Sequence, residues 1–264
     1  MRNSIRLYMF SSGALRCREC FIRMNKDGDP NYLIPVPFFL LMHPKGHVVI
    51  DGGNAAETAS DPRGYWGKVT DVYWPIMTEC DGCVAQIDRL GVDVNDIRYV
   101  VLSHLHLDHT GSIGRFPNAT HVVRKREYDY AHAPDWPAAG AYVSADFGRP
   151  GLRWQFLDGP EDELVDFFGD GVLTIIPTPG HTVGHQSFMV TLPETGSVIL
   201  TCDAAYTFDH WNDMALPGLM ASSIETVASV RKLRALAEKR GAMVVTGHDP
   251  EAWKSLKKAP DYYA

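Results

Sequence analysis

Short apolar runs rich in β-branched and aromatic residues recur along the chain, separated by polar stretches marked by glycine and proline. Runs of this length predict strands rather than helices. Strands are expected at Ile5–Phe10, Pro35–Met42, His47–Ile50, Ile97–Ser103, Thr120–Val123, Val172–Ile176, Ser187–Thr191, Ser197–Thr201 and Ala242–Val245. Helical spacing shows in three places. Cys83–Leu90 carries Val84, Ile87 and Leu90 before a closing Gly91, and Lys125–Ala131 follows a strand. A capping box, Ser222-x-x-Glu225, opens a longer helix with Ile224, Val227, Val230, Leu233 and Ala237 on one side and Gly241 past its end. The polar segment from the first strand to Asn31 reads as a loop, and 54–75 and 132–153 read as irregular aromatic insertions. No repeat, low-complexity tract or long linker divides the chain, so one α/β domain over residues 1–264 is expected.

The chain has 264 residues, 45% hydrophobic and 22% charged, enough for a substantial core. A net charge of −7 argues against binding a nucleic-acid backbone. The longest apolar run, Val36–Met42, is too short to span a bilayer and is broken by Pro37. With no recognisable leader, a cytoplasmic location is expected. Four of the five cysteines form CxxC pairs, Cys17/Cys20 and Cys80/Cys83. The pairs lie much farther apart than the ~15–20 residues usual for a shared zinc. Free thiols of a reducing compartment are favoured over a disulfide or a four-cysteine site.

The most informative stretch is Val100–Ser112, VVLSHLHLDHTGS, an apolar strand ending in four ligand-type residues. His104 and His106 are two apart and point the same way in extended chain, so they can grip one ion. Asp108 and His109 are adjacent and splay toward another point, so the stretch offers ligands to two ions. Three further candidates, His181, Asp203 and His248, each follow the carboxyl end of an apolar strand, where ligand crevices of α/β sheets lie. Taken singly, each could be an ordinary turn, cap or surface residue; their recurrence together points to a shared site.

With His104-x-His106-x-Asp108-His109, His181, Asp203 and His248 in hand, the chain resembles the metallo-β-lactamase superfamily, whose fold is an αββα sandwich. Ser103-His-Leu-His-Leu-Asp-His-Thr-Gly111, Pro179-Gly-His-Thr-Val-Gly-His185 and Asp203-Ala-Ala-Tyr206 look most like the N-acyl-homoserine lactonases, and within them the branch that also takes short γ-lactones. The resemblance implies two divalent ions, most naturally Zn2+. His104, His106 and His181 would hold the first, Asp108, His109 and His248 the second, and Asp203 would bridge them. Two such ions acidify a shared water, whose hydroxide would attack the lactone carbonyl. Tyr206 would donate to the developing oxyanion, and Asp108 would pass a proton to the leaving alkoxide.

The implied role is quorum quenching or lactone catabolism. His185 and Asp51 are assigned to support the ligands rather than bind metal, and His43, His47, His121, His132 and His210 to the surface. Trp66, Tyr73, Trp74, Leu216 and Gly218 are candidates for the substrate wall, and the aromatic loops for a homodimer interface. The expected partner is a small-molecule lactone, with no nucleic acid and no membrane. The competing readings are a glyoxalase II-like thioesterase, which would add a C-terminal domain where only 16 residues follow His248, and a mono-iron persulfide dioxygenase.

Overall fold

The computed structural model describes residues 5–26, 28–160 and 162–264. Strands β1 (Arg6–Cys17) and β2 (Tyr32–Met42) pair antiparallel along nearly their whole length. The first strand runs well past Phe10, where a loop was expected. Ser11, Ser12 and Gly13 form a bulge rather than an exit, and Ala14–Arg16 then pairs with both β2 and a later strand. Gly13 sits at φ +69, and a Cβ there would come 2.4 Å from the Ile76 carbonyl oxygen, so the bulge requires glycine. Pro35 and Pro37 of β2 lie opposite this bulge and beyond its pairing with β3 (His47–Ile50), which involves only Phe39–Leu41. Prolines are therefore tolerated in a central strand, where no ladder N–H is needed from them.

Short helical turns apart, the remaining elements are β4 (Trp74–Ile76), α1 (Cys83–Arg89), β5 (Ile97–Val101), β6 (Thr120–Arg124), α2 (Lys125–His132), β7 (Trp154–Leu157), β8 (Val165–Asp166), β9 (Leu173–Pro177), β10 (Gln186–Leu192), β11 (Gly196–Leu200), α3 (Ser223–Arg240), β12 (Met243–Val245) and α4 (Pro250–Ser255). A seven-stranded sheet has the order β4-β1-β2-β3-β5-β6-β7, and a five-stranded sheet the order β12-β11-β10-β9-β8. Between them lies a shared core in which Leu7, Phe39, Ile50 and Val101 of one sheet meet Ile175, Phe188, Leu200 and Val245 of the other. Ile87 and Ala131 of α1 and α2 cover the outer face of the larger sheet, and Leu233 and Ala237 of α3 that of the smaller. The result is the expected helix–sheet–sheet–helix sandwich.

Direction matters more than order for the site. β3, β5, β6 and β7 run parallel, while β9 and β11 both oppose β10 and β12 runs with β11. The carboxyl ends of β3 and β5 thus share one end of their sheet, as do those of β9, β11 and β12 in theirs.

Two expectations, for Ile224 and for three of the histidines, need correction. Ile224 is 83% exposed, because α3 turns its first residue pair away from the sheet and packs through Val230, Leu233 and Ala237. His43, His121 and His210 are buried rather than on the surface. All five cysteines are free, and none belongs to a metal-competent group among the described residues. No helix among the described residues is long and apolar enough to cross a membrane.

Candidate metal centre

Each of the strands β5, β9, β11 and β12 ends in a turn that carries part of one cluster. The loop after β5 brings His104, His106, Asp108 and His109; His181 follows β9, Asp203 follows β11 and His248 follows β12. Two tight passages make this convergence possible. Asp51, just after β3, and Cys202, just before Asp203, have φ of +59 and +46, in the left-handed region that non-glycine residues seldom occupy.

Three groups of side chains point inward with ligand atoms within 4.8 Å of one another: His104–His106–His181, His104–His109–Asp203 and Asp108–His109–His248. His181 Nε2 lies 2.9 Å from His106 Nδ1 and 3.2 Å from His104 Nε2. A tetrahedral ion with nitrogen ligands at ~2.0–2.1 Å spaces those ligands about 3.3 Å apart, so the trio has the right size. The carboxylate of Asp203 divides between the groups. Its Oδ2 lies 3.3 Å from His181 Nε2 and 3.7 Å from His104 Nε2, while its Oδ1 lies 3.3 Å from His109 Nε2 and 3.2 Å from His248 Nε2. Asp108 closes the second group, 3.6 Å from His248 Nε2 and 3.8 Å from His109 Nε2.

The far side of four of the five rings is tied down, which fixes the tautomer of each. His109 Nδ1 donates to Asp51 Oδ2 at 2.9 Å, and His248 Nδ1 to the Pro35 carbonyl at 2.8 Å. His104 Nδ1 donates to Ser103 Oγ at 2.9 Å, and Ser103 Oγ donates in turn to Asp51 Oδ2. His181 Nδ1 donates to the Tyr206 hydroxyl at 3.1 Å. His185 stays outside the three groups: its Nε2 accepts from the Asp203 backbone N–H at 3.1 Å and its Nδ1 donates to the Thr178 carbonyl.

The donor set fits cations on grounds internal to the chain. His109 Nε2 and Asp203 Oδ1 are buried and face each other without the alignment of a hydrogen bond. Leaving buried polar atoms unpartnered costs ~1–3 kcal/mol each. Burial, with the neighbouring imidazoles, holds His104 well below the ordinary histidine range, and burial pushes His106 down to about 3 and His181 well down too. Neutral imidazole is the form that ligates. At the other group burial opposes charge on His109 and His248, yet Asp203 and Asp108 outweigh it and raise both. The second group therefore attracts positive charge.

Above the cluster opens a cavity of about 320 Å³, walled by Leu15, Ile22, Ile34, Tyr73, Tyr142, Leu219 and Met220, with Asp108, Asp203, Tyr206 and His248 on its floor. Of the expected wall residues only Tyr73 lines it. Trp66 is buried beside Leu15, Val36 and Tyr206 in the underlying core, and Trp74 belongs to β4, paired with Arg16. Leu216 faces a separate cavity against α3, and Gly218 packs on the Cys20 and Phe21 backbone. The wall instead uses β1, β2 and the 130–142 segment, whose long-range approach leaves no local signal. Two other residues escaped sequence reading, the buried carboxylates Glu127 and Asp146; Asp146 accepts from Thr110 Oγ1 at 2.7 Å, one residue past His109.

Fold and site together define a binuclear metal-dependent hydrolase type, and the chain belongs to the metallo-beta-lactamase superfamily, whose family model matches residues 32–248. Among individual relatives, the N-acyl homoserine lactonase AttM of Azorhizobium caulinodans is 63% identical over 98% of each chain. AttM of Agrobacterium fabrum is 60% identical over 98% of this chain and 99% of its own. A solved N-acyl homoserine lactone hydrolase, with the product N-hexanoyl-L-homoserine at its catalytic metal center, superposes with a TM-score of 0.87 at 27% identity over 98% of each chain.

Proposed function

We propose that the protein is a lactonase that hydrolyses N-acyl-homoserine lactones and short γ-lactones such as γ-butyrolactone, in quorum quenching or lactone catabolism, as one catalytic unit spanning the chain. The observation that carries this reading is the divided carboxylate of Asp203 at the floor of an apolar cavity. His104, His106 and His181 would hold one ion, Asp108, His109 and His248 another, with Asp203 between them and zinc as the metal. When bound, the ions supply Lewis acidity toward the ester carbonyl and an acidified water as nucleophile.

The chain's own groups do the rest. Tyr206 accepts the His181 Nδ1–H, which leaves its own O–H to donate toward the carbonyl oxygen as that atom gains charge. Burial raises the Tyr206 phenol well above its ordinary range, so the donor keeps its proton. Asp108, on the cavity floor, would take up the proton that the attacking water gives up and pass it to the alkoxide released when the ring C–O bond breaks. The unpaired thiols support a reducing, cytoplasmic setting.

A proton-release assay against γ-butyrolactone, short- and long-chain acyl-homoserine lactones, a thioester and a phosphodiester tests the reading. Lactones are expected to be preferred, and preference for the thioester or phosphodiester would overturn it. Asp203→Ala is expected to abolish turnover, and Tyr206→Phe to lower kcat by ~10- to 1000-fold.

A further inference from the structure

We propose that Glu127 is a positioning residue that sets the spacing of the three-histidine group by clamping together the two loops that carry it. The inference rests on the two-ion reading above. Glu127 lies in the first turn of α2, away from the metal-competent groups, and is fully buried. Its Oε1 accepts from the Leu105 backbone N–H at 3.1 Å, the peptide between His104 and His106. Its Oε2 accepts from the Thr182 hydroxyl at 2.7 Å and the Gly184 N–H at 3.0 Å, on the loop that presents His181. Tyr142, whose ring stands edge-on to His106 at 4.8 Å, donates to Oε1 at 3.3 Å.

One carboxylate thus joins the neighbours of all three imidazoles. Its four donors are neutral, and burying a carboxylate is costly unless such bonds are made, so the arrangement is held firmly once formed. The contact is also steric. A Cβ on Gly184 would fall 2.5 Å from the Glu127 backbone nitrogen, so only glycine lets the His181 loop reach the helix. A glutamine could not replace the clamp, because Leu105 and Gly184 both offer backbone N–H groups and the amide has a single oxygen. Whichever way it turned, one loop would face an NH2 and lose its hold.

The test measures zinc affinity by competition with a chromophoric chelator. Glu127→Gln is made in two backgrounds: His248→Ala, which leaves the three-histidine group intact, and His106→Ala, which leaves the other. Loss of such a support costs ~10–100-fold in affinity. That loss is expected in the His248→Ala background, with a change within about twofold in the other. Equal loss in both, or none in either, overturns the proposal. Should Glu127→Gln fail to fold, Thr182→Val removes one bond of the clamp and is expected to show the same asymmetry at a smaller scale; symmetry there overturns it as well. Parent protein binding fewer than two equivalents of zinc would sink the two-ion reading instead, a result separate from either pattern.

Discussion

Two imidazoles buried away from the cluster, His121 and His210, each accept a backbone N–H that only the neutral ring can take. His121 Nε2 accepts from the Gly114 N–H while its Nδ1 donates to the Arg153 carbonyl; His210 Nδ1 accepts from the Thr207 N–H while its Nε2 donates to the Ile22 carbonyl. Burial is the leading reason that both titrate below the ordinary histidine range. The sign follows: as pH falls below ~6.5 the unfolded chain takes up protons that the folded chain refuses, so this stability is complete above that pH and lost below it. Melting temperatures measured between pH 7.5 and 5.5 are expected to fall, and to fall less for His121→Gln than for the parent. The error of placing these histidines on the surface is instructive. Absence of ligand spacing says nothing about burial, whereas the His104–His109 stretch is legible because its ligands are local. Glu127 is the opposite case, since its loop partners lie 22, 55 and 57 residues away.

At the scale of elements, strand cores are readable from apolar runs, but their ends are set by pairing. β1 continues through Ser11–Gly13 because β2 and β4 supply partners on either side. The wall of the cavity is illegible for a related reason: an aromatic loop does not reveal which way its side chains turn until something packs against it. The helix α3 shows the limit of periodicity. Its 3.6-residue stripe includes Ile224, yet the core shared with the sheet takes in only Leu233, Leu236 and Ala237. Leu233→Ala is therefore expected to cost ~2–5 kcal/mol by the cavity it leaves. Ile224→Lys should change stability by no more than about 0.5 kcal/mol. Urea unfolding of both variants checks the contrast, and a large loss for Ile224→Lys would place that residue against something the fold described above does not include.

For the whole molecule, the strand runs make the α/β class legible, while the αββα layering comes only with the family resemblance carried by the ligand motifs. The meeting of two sheets at one edge is not legible, since it arises only in the packed core. Ligand-type side chains that follow β5 on one sheet and β9, β11 and β12 on the other close on the same cluster. Ions bound there would join layers that otherwise touch through apolar contacts. Each site held at 1,000 times its dissociation constant adds about 4 kcal/mol, and a chain of this size gains ~2–4 °C per kcal/mol. Stripping metal with a strong chelator is expected to lower the melting temperature by ~15 °C or more, and a shift of a degree or two would mean the sandwich stands without them. A clasp that joins separate layers also ties the lifetime of the enzyme to nutrition. In a cell starved of the metal these sites take, newly made chains would open along that seam and meet proteases, so the quantity of protein would decline together with the activity of each copy.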